Sequence, residues 1–295
     1  MPSATPFQKL LHSSYSLVKA KSADDAGGAE AEAAILALVE MSVTFLVAEC
    51  NRVPLISLVA GKTYAGYARK DEPASSTRPV RDSLFAPDVA ALRRHWNQWR
   101  AGRLSASNAE SMLYTAALAP CLAMELYDRA NKKGPATYFE CFVGHVVART
   151  LGLKAHKKAS LPFRDINLRL TMDLLFQPTA TTSGLHVAVK MSTRERVVQA
   201  WAHQRLLDSA FGPSVYRGIM ILFGETKLDV RKGEVVEICV PDQWLAYQTL
   251  LAPMARIYYF DPPTRYVSLA EKYPDIVTLA PFATFLGERG ELIAR

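Results

Sequence analysis

The sequence predicts an α/β protein, a mixed central sheet flanked by helices and preceded by a helical N-terminal layer. Three observations predict it. The chain has 295 residues, 49% of them apolar, enough for a substantial core and too many for a disordered chain. Its first half carries long apolar runs at helical spacing with stop signals at their ends. From residue 168 the pattern switches to short alternating runs, in the order strand, strand, helix, strand, strand, helix, strand.

In chain order, residues 1–30 end in the polar "KSADDAGGAE" and are expected as a mobile arm. One domain is expected over 31–295, with a mainly helical layer at 31–135 and an α/β core at 136–295. The layer opens with a helix over 31–52, stopped by Pro54. Residues 61–83, rich in Gly, Ser, Pro and charge, read as a loop; its "GKT" lacks the upstream glycine of a phosphate-binding loop. Helices follow at 88–101, 106–130 and 136–151, the last closed by Gly152. In the core, "LRLTMDLLF" (168–176) and "LHVAVKMS" (185–192) alternate as strands around the turn-rich "QPTATTSG". A helix over 194–210, strands over 216–224 and 234–240, a helix over 242–254 and a strand over 256–263 complete it.

The net charge of +7 raises the expectation of a polyanionic partner without requiring one. Cys50, Cys121, Cys141 and Cys239 are widely spaced, which points to reduced thiols rather than a zinc site or a disulfide frame. The N-terminus lacks the apolar core of a signal peptide, and the most apolar stretch (33–50) contains Glu40 and Glu49, which a bilayer tolerates poorly. A cytoplasmic protein without a membrane partner is expected. No G-x-S-x-G, H-E-x-x-H or G-x-G-x-x-G occurs, so triad hydrolase, zincin and dinucleotide-binding readings have no support.

Chemistry concentrates on the two strands at 168–192. Side chains alternate along a strand, so Arg169, Thr171 and Asp173 are expected on one face and Leu168, Leu170, Met172 and Leu174 on the other. Lys190 shares a face with Ala188 and His186. Paired as a hairpin, the strands bring Asp173 and Lys190 together. A carboxylate that holds a divalent cation beside a lysine suits phosphodiester hydrolysis, although a solvated edge pair has the same pattern. Just beyond, "MSTRER" places Ser192, Thr193, Arg194, Glu195 and Arg196 where the strand hands over to a helix. Arginine forks can pair with guanine O6 and N7, and a glutamate can accept from the cytosine amino group. As a mere first helical turn, two arginines would oppose the helix dipole.

With these residues in view, the segment 137–212 resembles the PD-(D/E)xK nucleases, and more narrowly the NgoMIV/EcoRII-type restriction endonucleases, which read sites containing CC and GG. "MD" ends at Asp173, "AVK" ends at Lys190 with Ala188 in the vacated acid position, and the Arg-Glu-Arg triplet opens the helix. The resemblance implies a restriction-endonuclease-like core and a Mg²⁺-dependent type II endonuclease acting on double-stranded DNA. It further implies a homodimer, or a tetramer, on a palindromic site. It assigns metal binding to Asp173 and Glu140, which lies 33 residues upstream in "TYFECF", and charge stabilisation to Lys190. Arg194, Glu195 and Arg196 would read bases, with Ser192 and Thr193 supporting a phosphate contact. Relatives carry a further glutamate thirteen or fourteen residues after the lysine; here His203 and Gln204 stand there, and either is a candidate to complete the site. That departure leaves a second reading open, a weakly active or silent sequence-specific DNA-binding protein on the same fold. Two further basic stretches have both functional and structural readings. "RRHWNQWRAGR" (93–103) fits base stacking or a bundle helix, and "AHKKAS" (155–160) a phosphate contact or a solvated loop.

Overall fold

The computed structural model describes residues 5–128, 130–131, 133–193 and 197–294. The chain forms two units, Met1–Val146 with Thr226–Glu237, and Val147–Glu225 with Ile238–Arg295. The first opens with helices α1 (Pro6–Asp24) and α2 (Ala29–Glu49) and strands β1 (Cys50–Ser57), β2 (Tyr64–Arg69) and β3 (Val80–Arg81). Helices α3 (Val89–Arg100), α4 (Ala106–Tyr127) and α5 (Lys133–Leu151) follow, the last passing into the second unit. There come β4 (His156–Phe163), β5 (Ile166–Phe176), β6 (Gly184–Lys190), α6 (Val198–Phe211) and β7 (Tyr216–Leu222). The chain returns to the first unit for β8 (Thr226–Asp229) and β9 (Glu234–Glu237). The second unit then ends with α7 (Pro241–Ala246), a π-helical turn (Tyr247–Leu251), β10 (Arg256–Tyr259), α8 (Thr264–Lys272), β11 (Leu279–Pro281) and α9 (Phe285–Ile293).

In the first unit, residues expected as a mobile arm form α1. Thr5 caps it by accepting from the Gln8 N–H, Pro6 supplies a preset first turn, and Leu11 and Val18 are buried. Helix α2 is long and apolar enough to cross a membrane by length and composition, but more than half of that stretch is buried in this unit, where it packs on α1 and α4. Helix α4, apolar nearly all round, is correspondingly buried from Met112 to Leu126. The Trp-Arg stretch is α3 and is structural here: Trp96 is buried and donates to Glu32 at 2.9 Å, and Arg93 pairs with Glu40. The span 61–83, expected as a loop, contains β2 and β3, because Tyr64, Ala65, Tyr67 and Ala68 are buried once paired. These strands belong to a five-stranded sheet of order β3-β2-β1-β9-β8. Residues 234–237, expected as a core strand, lie in this sheet and pair with β1 and β8.

The second unit is built on a six-stranded sheet, β11-β10-β7-β6-β5-β4. It is mixed: β6, β7, β10 and β11 run parallel, while β5 pairs antiparallel with β6 and with β4. Helices flank both faces. Ala188, Met220 and Tyr259 pack with Trp201 of α6, Trp244 of α7 and Tyr266 of α8, whereas Tyr258, on the opposite face, meets Phe282 and Phe285 at the start of α9. The four cysteines are free, three of them buried.

Candidate active site

The β5–β6 ladder pairs Phe176 with Leu185, Leu175 with His186 and Leu174 with Val187, and there it stops. Asp173 takes over from the backbone. Its Oδ2 accepts the Val189 N–H at 2.9 Å and Lys190 Nζ at 2.6 Å. The partner on the other side slips at the same place: His156 pairs with Leu175 but Lys158 with Thr171, so two steps along β4 span four along β5. Such a bulge re-aims side chains. Met172 and Leu175 both reach the cluster formed with Ala159, Leu161 and Leu207, so the strict alternation expected through Leu174 breaks at Asp173. The two strands therefore bring Asp173 and Lys190 together, and the irregularity delivers the carboxylate.

Both side chains are about a quarter exposed, 24% for Lys190 and 25% for Asp173. The pair is close, charge-assisted and open to solvent. Oδ2 takes both bonds; among the described residues, Oδ1 accepts none.

Of the two candidates on α6, Gln204 is turned into the core, whereas His203 lies within electrostatic reach of both Asp173 and Lys190. Gln204 is buried, and its Nε2 donates to Asp208 Oδ1 at 2.8 Å and to the Tyr216 carbonyl at 2.7 Å. Its Oε1 must then accept, from His186 Nδ1 at 3.2 Å, which puts that imidazole's proton on Nδ1. A Cβ at Gly218 would sit 2.5 Å from the same oxygen, so the glutamine fits only against glycine. The glutamine is a structural bracket between α6 and the sheet. His203 is half-buried, its ring 6.0 Å from that of His186. Burial holds its pKa below the usual histidine value, with Asp173 opposing and Lys190 reinforcing that shift. A neutral imidazole thus lies in the field of both site residues. Burial also presses His186 down, to about 4.

The segment after Lys190 is tied to the end of β7. Phe223 N–H donates to the Lys190 carbonyl at 3.1 Å and Gly224 N–H to that of Met191 at 3.3 Å. Buried Glu225 accepts the Thr193 N–H at 2.8 Å and the Tyr259 hydroxyl at 2.9 Å. The Thr193 side chain is buried, with its hydroxyl 3.5 Å from that of Tyr266, and Ser192 before it is half-buried. Sequence reading missed Glu225, although a glutamate directly after the apolar "IMILFG" was a signal. Arg194, Glu195 and Arg196 lie outside the described residues. Glu140 is half-buried on α5 in the first unit, its charge felt by Tyr15 of α1.

Among the described residues no three His, Cys, Asp or Glu side chains gather as a ready-made metal cage. Mg²⁺ does not need one. It keeps several waters and takes one or two carboxylates plus substrate phosphate oxygens, a demand that the open Oδ1 of Asp173 fits.

The mixed sheet, its helical flanks and this hairpin make a restriction-endonuclease fold. The chain is similar to the Type IIP restriction endonuclease Kpn2I, with a TM-score of 0.78 at 23% identity over 95% of this chain and 96% of that one. The restriction endonuclease PspGI, solved as a complex with substrate DNA, aligns at a TM-score of 0.40 and 16% identity over 72% of this chain and 85% of its own. No protein-family model and no curated protein matches the sequence.

Proposed function

We propose that the protein is a Mg²⁺-dependent type II restriction endonuclease that hydrolyses double-stranded DNA at a palindromic site containing CC and GG. It acts as a homodimer, because two-fold protein symmetry matches two half-sites. The observation that carries the reading is the Asp173–Lys190 pair, 2.6 Å apart and open to solvent where the β5–β6 ladder ends.

Asp173 would hold the cation, with His203 a neutral nitrogen donor beside it; the family resemblance assigns Glu140 as a second carboxylate ligand. Bound there, Mg²⁺ polarises the phosphate and lowers the pKa of the attacking water. Lys190 places its ammonium where the phosphorane gathers negative charge and orients the water; the Asp173 contact fixes its position. Ser192 steadies the neighbouring phosphate. Arg194 and Arg196 read guanines through bidentate bonds and Glu195 accepts from cytosine, each good contact discriminating by about 1–3 kcal/mol. The products carry 5′-phosphate and 3′-hydroxyl ends.

The test is incubation of purified protein with a phage genome and Mg²⁺. Discrete fragments whose ends share a CC/GG-containing palindrome are expected, with none from Asp173→Ala. A smear would mean a nuclease without sequence preference. Intact DNA with retained site-specific binding would mean a silent DNA-binding protein, the outcome to which a helix without an acid at 203 or 204 gives some weight. Light scattering of the protein on cognate duplex separates dimer from tetramer.

A further inference from the structure

Beyond Asp173 toward its N-terminus, β5 has no partner but β4 among the described residues. Pairing runs from Lys158–Thr171 through Ser160–Arg169 to Phe163–Ile166, a two-stranded ribbon that continues past the point where β6 ends at Lys190. At about 3.3 Å per residue, the stretch from Ile166 to Met172 reaches about 20 Å, the length of roughly six base pairs. A free ribbon of this kind is barely stable alone. This one is anchored on one face, where Ala159, Leu161, Leu170 and Met172 pack with Leu207 of α6 and Tyr216.

The other face is exposed, and its composition is one-sided. Lys158, Ser160, Asn167, Arg169 and Thr171 share it with Pro162; all but the proline are hydrogen-bond donors and none is a carboxylate. Between His156 and Arg169 four cations, Lys157, Lys158, Arg164 and Arg169, stand against the single carboxylate of Asp165. Among the described residues neither Lys158 nor Arg169 forms an ion pair, whereas Arg52, Arg69, Arg78 and Arg93 of the first unit each hold a carboxylate. Lysines on an edge strand also protect against sheet-to-sheet aggregation, and β4 is an edge. That role explains the charge on β4. It does not explain the carboxylate-free row of Asn167, Arg169 and Thr171 on the neighbouring β5.

We propose that the β4–β5 hairpin is a phosphate-gripping arm that holds duplex DNA flanking the recognition site, with Lys158 and Arg169 as its principal contacts. The proposal rests on the nuclease reading, since a duplex with its scissile phosphate at Asp173 and Lys190 would extend alongside the arm. It adds a sequence-independent contact outside the bases read by the arginine triplet. Such contacts position the protein and carry the salt dependence of binding.

The experiment uses the full chain with Ca²⁺ and compares wild type with the double variant Lys158→Ala, Arg169→Ala. Duplexes carry the cognate site with flanks of about 4 or about 12 base pairs, and salt runs from about 50 to about 200 mM. Each lost phosphate contact lowers the slope of log K against log salt by about 0.9, so the slope should fall by about 1.8 per engaged arm. Over that range wild type then loses about tenfold more affinity than the variant. Wild type should prefer the long flank and the variant should not. The loss should appear in affinity and leave the single-turnover rate, measured with Mg²⁺ at saturating DNA, unchanged. Lys158→Arg with Arg169→Lys, which keeps the charges, should restore slope and flank preference. An unchanged slope and flank preference in the alanine variant, with wild type binding and cutting normally, overturns the arm. Reduced solubility with unchanged DNA affinity does the same and assigns the charges to edge protection. A wild type that binds no duplex at all overturns the nuclease reading itself and the arm with it.

Discussion

Glu125 in the first unit and Asp173 in the second are both carboxylates held by a cation, yet only Asp173 keeps an oxygen without a hydrogen bond among the described residues. Glu125 is buried on α4, and both of its oxygens are occupied: Oε1 takes two guanidinium bonds from Arg78, and Oε2 takes the Arg78 N–H at 3.1 Å. Nothing remains for a ligand to use. Asp173 receives both of its bonds on one oxygen and is a quarter exposed, so the second oxygen faces outward. The proposed active pair differs from the structural one less in its length than in what it leaves unsatisfied and wet. Saturated burial fixes a fold; one open lone pair beside a held lysine invites a cation and a phosphate.

The largest expected effect separates the pairs by function. Asp173→Ala should lower DNA cleavage at least about a thousandfold, as loss of a principal electrostatic group does. Buried Val189 loses the acceptor of its N–H, so stability should fall by about 1–3 kcal/mol, several degrees of melting temperature. Lys190→Ala should behave alike. Cleavage within tenfold of wild type in either variant would falsify the site. Next comes the mirror experiment. Arg78→Met strands a buried carboxylate and should cost about 3–5 kcal/mol, read by urea denaturation. Cleavage per folded molecule should stay at the wild-type level below the transition.

Much of this contrast was legible in the sequence. The alternation of 168–176 and 185–190 marked the strands, and pairing them as a hairpin allowed Asp173 and Lys190 to meet on one side, which they do. What was not legible depended on tertiary contact. The bulge at Asp173 arises from β4, whose basic, mostly exposed sequence looked like a loop until it was paired with β5. The short strands β2 and β3 lie within a Gly- and Pro-rich stretch and become strands only against β1. Helix register hid the difference between His203 and Gln204: adjacent residues point 100° apart, and only the packing of α6 shows that Gln204 turns to His186 and Tyr216.

A third, smaller effect is set by pH beneath the site. Burial lowers the His186 pKa from 6.5 to about 4, so the folded protein keeps this ring neutral. Below pH 6.5 the unfolded chain takes up a proton that the folded chain refuses until about pH 4. Stability is therefore fully present above 6.5 and is lost as pH falls through that window, by about 3 kcal/mol in all. Urea denaturation at pH 7 and pH 4 should show this loss. His186→Leu, less stable at pH 7 because Gln204 Oε1 loses its donor, should show a pH dependence flatter by the same amount. An equally steep dependence in the variant would place the titration elsewhere.

The smallest effect tests the placement on α6. If Asp173 holds Mg²⁺ through its open oxygen with His203 beside it, a carboxylate at 203 adds a charged hard oxygen where a neutral nitrogen stands. His203→Glu should lower the Mg²⁺ concentration for half-maximal cleavage about tenfold and tighten Mg²⁺ binding measured calorimetrically without DNA, with the recognised sequence unchanged. Gln204→Glu should do neither. It removes the Nε2 donor from Asp208 and the Tyr216 carbonyl and sets a buried carboxylate beside the half-buried one of Asp208, so it should cost about 2–4 kcal/mol of stability. The two variants differ by one residue and should part completely, one in metal affinity and the other in folding. Should Gln204→Glu be the one that shifts the metal dependence, the glutamine must leave its bracket to reach the site, and the assignment of His203 fails.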